Sequence, residues 1–182
     1  MADLFDVLEA DHIEVKSMLH TLGASSEPEK RAKLAETLVI EESKHEAAEE
    51  MHFWPAVRRY LVDGDRLADE AISQEEEGKQ VLNDLDKAEA GSPAFDELVT
   101  RFQQAAQKHI AFEENEVWPK LLAVLNAQQI DELGAEIESA KATGPTRPHP
   151  KTPSKPGVLK TAGAAAAATD RARDRASGRG RH

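Results

Sequence analysis

Apolar residues recur every three or four positions through four long segments of the chain, a spacing that predicts four amphipathic helices. The first helix is predicted over residues 3–22, and the second from residue 27 to residue 60 or 62. The third follows the turn at residues 63–65, and the fourth begins at Pro93. Long helices with one apolar stripe and short connections are typical of an all-α, up-down-up-down four-helix bundle.

Two prolines near the ends of the second and fourth helices predict local distortions. Pro55 and Pro119 each lack a backbone donor and crowd the carbonyl group four residues earlier. A kink is therefore expected just before each proline.

The bundle is predicted over residues 1–125, and a short fifth helix over residues 126–142. From residue 143 the chain becomes rich in Pro, Ala and basic residues. A disordered C-terminal tail is predicted for residues 143–182, because its Pro-rich part cannot form a helix and its Ala-rich part has little apolar surface to bury.

The pattern K-H-x3-E-E-x3-W-P occurs twice, 64 residues apart. Its histidine and first glutamate are His45 and Glu49 in one copy, and His109 and Glu113 in the other. A spacing of four residues places each pair on one helix face, about 40° apart. A single such pair is more often a surface ion pair. Its repetition with the same Trp-Pro favours two copies of a metal half-site.

The first and third helices extend this repeat. A shift of 63 residues places residues 11–22 on residues 74–85, where a lysine meets a lysine and three apolar positions coincide. His12, which lies within an apolar stripe, then corresponds to Glu75. Glu75 can also be interpreted as part of a solvated acidic run at residues 75–77, but it lies at the edge of the apolar stripe and the internal alignment selects it.

The candidate metal ligands are therefore three histidines and three glutamates, namely His12, His45, Glu49, Glu75, His109 and Glu113. This donor set, without thiolate, suits iron or manganese and permits zinc. Two cations fit six ligands better than one, and a pseudo-two-fold axis would give each metal one set, with Glu49 and Glu113 free to bridge.

Composition narrows the function classes. The chain of 182 residues has no cysteine, so disulfides, iron–sulfur clusters and thiolate zinc sites are excluded. Residues 1–142 carry 14 Lys and Arg against 32 Asp and Glu, a net charge of −18, whereas residues 143–182 carry +7. The acidic body argues against nucleic acid as a main partner. Neither a signal peptide nor a membrane-length apolar run is found, so a cytoplasmic location without membrane contact is expected.

The duplicated motif resembles the hemerythrin-like family, whose members carry a His/His/Glu cation-binding domain, over roughly residues 1–125. The resemblance implies a non-haem di-iron centre, with carboxylate- or oxo-bridged iron ions, in a four-helix bundle. It implies that the iron ligands include His12, His45, Glu49, His109 and Glu113. Oxygen-carrying members place two histidines four residues apart on the third helix, where this chain has Ala71 and Glu75.

The replacement of a neutral imidazole by a carboxylate stabilises the ferric state and disfavours release of an intact oxygen adduct. The leading hypothesis is a di-iron protein that reacts with peroxide or oxygen, with catalase- or peroxidase-like turnover in oxidative or nitrosative stress defence. Two alternatives stay open: a carrier or sensor that binds oxygen or nitric oxide, and an iron storage or delivery protein. A metal-free acidic bundle that only mediates interactions is the weakest interpretation, and the sequence identifies no protein partner for the basic tail.

Overall fold

The computed structural model describes residues 2–150 and 163–180, and every regular element within them is helical. The helices are α1 Leu4–Ala24, α2 Pro28–Ala48, α3 Trp54–Tyr60, α4 Gly64–Leu85, α5 Pro93–Phe112, α6 Trp118–Leu122, α7 Ala127–Thr143 and α8 Ala164–Ser177. The predicted up-down-up-down bundle is confirmed: its four rods are α1, α2 continued by α3, α4, and α5 continued by α6. None of the described helices is both long and apolar enough to cross a membrane.

The two proline distortions are π-helical turns. The turns span Glu49–Phe53 and Glu113–Val117 and join α2 to α3 and α5 to α6. In the first turn, the backbone N–H of Trp54 donates to the carbonyl oxygen of Glu49, five residues earlier. The wider ring relieves the crowding that Pro55 would cause in an α-helix. Each π turn begins at the first glutamate of the repeated motif, so the distortion lies where the candidate ligands are.

Capping residues define the helix starts. Asp3 and Asn126 each form a capping box at the starts of α1 and α7. Ser92 accepts from a backbone N–H at the start of α5. Gly91, just before it, has φ of +90°, a left-handed conformation that favours glycine. The fifth helix, predicted over residues 126–142, packs along α1 and α2 as α7.

The apolar core is divided into two clusters, and a polar layer separates them. One cluster is built around Phe53 and Trp54, and the other around Phe95 and Phe102. Each of the four rods contributes to both clusters and carries buried polar residues between them, as Glu75 does on α4. Buried polar side chains cost free energy unless they find partners, so this layer requires a specific explanation.

The C-terminal tail differs from the predicted disordered segment where it is described. Residues 151–162 and 181–182 lie outside the described residues, and for them disorder stays a prediction. Helix α8 is held against residues 146–149 of the tail by Asp170, which is fully buried and accepts from the backbone N–H of Thr146 at 3.2 Å and from Nε2 of His149 at 2.9 Å. Arg147 adds an ion pair with Asp174 at 2.6 Å. Polar contacts thus hold a helix whose apolar surface consists of alanine, of which Ala167 is buried.

Candidate metal centre

All six predicted ligand side chains meet in the polar layer at the middle of the bundle. Each rod contributes to the group, and the carboxylates of Glu49, Glu75 and Glu113 are fully buried. His109 is the most accessible member, with 13% of its side chain exposed. The residues come from α1 (His12), α2 (His45), α4 (Glu75), α5 (His109) and the first residues of the two π turns (Glu49 and Glu113).

A first cluster comprises His12, His45, Glu49 and Glu113, with one donor atom from each within 4.8 Å of the others. Nε2 of His12 lies 3.1 Å from Oε2 of Glu113. Nε2 of His45 lies 3.3 Å from Oε1 of Glu49. The cluster therefore combines three residues of the first sequence repeat with one residue of the second.

A second cluster comprises Glu49, Glu75 and His109, again with donor atoms within 4.8 Å. Nε2 of His109 lies 3.8 Å from Oε2 of Glu49 and 3.9 Å from Oε1 of Glu75. It also lies 3.3 Å from Oε1 of Glu113. Glu49 belongs to both clusters, and Glu113 faces both, so these two carboxylates lie between two potential cation positions.

Many donor atoms of the centre are buried without a hydrogen-bond partner. They include Nε2 of His12, both carboxylate oxygens of Glu49 and of Glu113, and both ring nitrogens of His109. Buried polar atoms in folded proteins are almost always hydrogen-bonded. A cation would satisfy these inward-facing atoms, and imidazole with carboxylate is a donor set that binds divalent transition metals. The residues present therefore fit a metal centre.

Outer carboxylates orient two of the imidazoles. Nδ1 of His45 lies 2.9 Å from Oδ2 of Asp11, which also forms an ion pair with Lys141. Nδ1 of His12 lies 3.0 Å from Oε1 of Glu114. With Nδ1 donating its proton to a carboxylate, the lone pair of Nε2 is directed into the centre. Sequence reasoning missed both carboxylates, whose only signal is that each directly adjoins a predicted ligand.

The two tryptophans of the repeat have different roles. Trp118 stacks on the ring of His12, with ring centroids 5.2 Å apart and an interplanar angle of 12°. Trp54 is buried, and its indole N–H donates to Oε1 of Glu75. Nζ of Lys79 lies 4.0 Å from the other oxygen of Glu75. The sequence motif alone does not predict the hydrogen bond that Trp54 donates to Glu75.

Burial and the charges of neighbouring side chains shift the pKa values of the candidate ligands. Burial raises the pKa of Glu49, and the charge of Glu113 raises it further. Burial would also raise the pKa of Glu113, but His109 and His12 hold it below its usual range. For His45, burial lowers the pKa, but Glu49 and Asp11 outweigh this and raise it to about 10. Cations entering the centre must therefore displace protons from it.

This chain is similar in sequence to several known proteins. The profile of the hemerythrin HHE cation binding domain matches residues 3–121. An uncharacterised hemerythrin-like protein of Schizosaccharomyces pombe is 25% identical over 175 residues, which cover 96% of this chain and 86% of that protein. A DNA nickase of Nostoc sp. is 24% identical over 137 residues, which cover 75% of this chain but only 38% of the nickase.

A solved structure has the same fold. It is the crystal structure of a hemerythrin HHE cation binding domain-containing protein from Mycobacterium kansasii, with a TM-score of 0.68 and 20% sequence identity. The match covers 93% of this chain and 99% of the crystallised one. With the family profile matched over most of the chain, the protein belongs to the hemerythrin HHE cation-binding family.

Proposed function

We propose that the protein binds two iron ions and reacts with peroxide or oxygen in stress defence. The six inward-facing side chains would hold the ions, one in the first cluster and one in the second, with Glu49 and Glu113 between them. The absence of thiolate and the mixture of imidazole with carboxylate support iron, and manganese and zinc are weaker fits. Bound iron would supply redox chemistry and polarise a bound oxygen species.

The observation that carries this proposal is the buried carboxylate of Glu75 at the position that corresponds to His12. One oxygen accepts from the indole N–H of Trp54, and the other lies 4.0 Å from the ammonium of Lys79. A fixed anionic ligand stabilises the higher oxidation state of a metal more than a neutral imidazole does. This favours oxidation chemistry over reversible oxygen binding.

The expected reaction is the disproportionation of two hydrogen peroxide molecules to two waters and one dioxygen, or peroxide reduction by an external donor. The protein is loaded anaerobically with ferrous iron and mixed with peroxide, and an oxygen electrode follows the products. Controls are the same concentration of free ferrous iron and a His45→Ala, Glu49→Ala double variant. Peroxide consumption at the rate of free iron would contradict the enzymatic proposal.

The same assay distinguishes the other candidate functions. A stable optical change when oxygen or nitric oxide is added to the reduced protein, without peroxide turnover, would indicate a carrier or sensor. Iron that chelators remove quickly and that peroxide does not affect would indicate storage or delivery. Zinc as the bound metal would exclude both peroxide turnover and the binding of oxygen or nitric oxide.

Nucleic acid is not part of the proposal, although one relative is described as a DNA nickase. This chain corresponds to only 38% of that protein, and its residues 1–142 carry a net charge of −18. Such a surface repels phosphate. The proposed ligands are therefore small molecules, namely peroxide, oxygen or nitric oxide, and the cytoplasmic location stays a prediction.

A further inference from the structure

The internal repeat places a lysine–glutamate pair next to each cluster. Lys16 and Glu114 form one pair, with Nζ 3.1 Å from Oε1, beside His12. The corresponding pair is Lys79 with Glu50, beside Glu75. Lys16 and Lys79 are 63 residues apart, as are His12 and Glu75, so the same sequence relation produced both neighbourhoods.

The two pairs have very different environments. The side chains of Lys16 and Glu114 are 48% and 32% exposed. Those of Lys79 and Glu50 are 11% and 3% exposed. Pro145 of the tail lines the same small cavity as the Lys79–Glu50 pair, and it helps to exclude solvent there. The first ion pair is therefore screened by water, whereas the second acts in a low-dielectric interior.

The buried position of Lys79 is explained by the carboxyl groups around it. Glu75 introduces a carboxyl group where the first repeat has an imidazole, and Glu46 and Glu50 add further buried carboxyl groups. A buried carboxylate without a compensating cation is strongly destabilising. The ammonium of Lys79 contacts Glu50 and lies 4.0 Å from Glu75, so it supplies the compensating charge.

We propose that Lys79 is a positioning residue: its ammonium, which is paired with Glu50, faces one oxygen of Glu75 and keeps that carboxyl group towards the second cation position. This inference rests on the proposed function, because it assumes that Glu75 serves a metal. The residue pair Glu75 and Lys79 thus replaces, as a unit, the pair His12 and exposed Lys16 of the first repeat.

A double-mutant cycle in the full chain tests the proposal. Glu75→His alone leaves Lys79 paired with Glu50 but places an imidazole beside its ammonium, and Lys79→Met alone leaves the buried carboxyl groups without a cation. Each single variant should lower the melting temperature of the metal-free protein by roughly 6–15 °C. The Glu75→His, Lys79→Met double variant should recover most of this loss, because its new imidazole can donate to Glu50 as His12 donates to Glu114.

Lys16 provides the matched control. The Glu75→His, Lys16→Met double variant should show additive losses, because Lys16 is exposed and pairs with Glu114 rather than with Glu75. Lys79→Arg should remain close to the wild type in melting temperature and in metal content of the second cluster. Should both single variants fail to fold, recovery of helical circular dichroism by the Glu75→His, Lys79→Met variant alone decides the question.

Additive losses in the Glu75→His, Lys79→Met variant, or equal losses for Lys79→Arg and Lys79→Met, would overturn the proposal. Because the cycle is measured without metal, these results concern Lys79 alone. Failure of the proposed function would appear separately, as a wild-type protein that takes up no iron.

Discussion

The two clusters of the centre derive from one repeated sequence but differ in solvent access and charge. The first cluster has two imidazoles, each backed by an outer carboxylate, and its lysine–glutamate pair is open to water. The second has one imidazole and a carboxylate that is backed by Trp54 and a buried Lys79. The difference shows that replacing one ligand in a duplicated site also changes which side chains must surround that ligand and how deeply they are buried.

The largest expected effect comes from the carboxylates that the two clusters share. Glu49→Gln and Glu113→Gln should each weaken binding at both positions by more than about 100-fold, beyond the loss typical for outer partners. Metal content measured by elemental analysis should fall at both positions. The metal-free Glu49→Gln variant should be as stable as the wild type or more so, because burial and Glu113 already raise the pKa of Glu49. Retention of one ion by either variant would contradict the shared role.

The second-largest effect should be the loss of metal from one cluster only. His12→Ala should empty only the first cluster, and Glu75→Ala only the second, so each variant should bind about one ion where the wild type binds about two. Titration with ferrous or cobaltous ion under anaerobic conditions measures the stoichiometry. If either variant loses both ions, the two positions are not separable, and the comparison between the clusters fails.

The fold was predictable because its signals are local. Helix periodicity and the capping residues Asp3 and Ser92 determine where rods begin, and Pro55 and Pro119 indicate the distortions. The candidate ligands were predictable because a duplicated motif singles out a few residues among 34 acidic ones. The internal alignment was needed for Glu75, which spacing alone does not distinguish from its neighbours.

The outer partners could not be predicted because burial is a property of the packed chain. Lys79 and Lys16 occupy equivalent sequence positions, and only packing shows that one is buried and the other exposed. The docking of α8 was missed for a similar reason. Its buried residue Asp170 has partners at residues 146–149, in the Pro-rich part of the tail, and their proximity is not encoded in local periodicity.

The pH dependence of metal uptake tests one imidazole of the first cluster, that of His45. The raised pKa of His45, about 10, means that its proton contributes stability to the metal-free protein fully below pH 6.5, and that this contribution is lost as pH rises through about 10. Because a metal must displace that proton, affinity at the first cluster should rise about tenfold per pH unit between pH 7 and pH 10. Asp11→Asn removes a group that raises the pKa, so the dependence should flatten. Proton release on metal addition in weakly buffered solution measures it, and an unchanged slope in Asp11→Asn would count against this role of Asp11.

The smallest effect is expected from the two tryptophans, which occupy equivalent places in the repeat. Trp54→Phe removes the indole N–H that donates a hydrogen bond to Glu75. It should lower the free energy of unfolding by about 1–3 kcal/mol, because a buried acceptor loses its donor. Trp118→Phe retains an aromatic ring beside His12 and removes an N–H that has no hydrogen-bond partner, so its cost should be smaller. Urea unfolding of the metal-free proteins measures both costs. Metal titration adds a readout that ring volume alone would not change: only Trp54→Phe should weaken the second cluster selectively. Equal effects of the two variants on that cluster would show that Trp54 acts by packing, as Trp118 does.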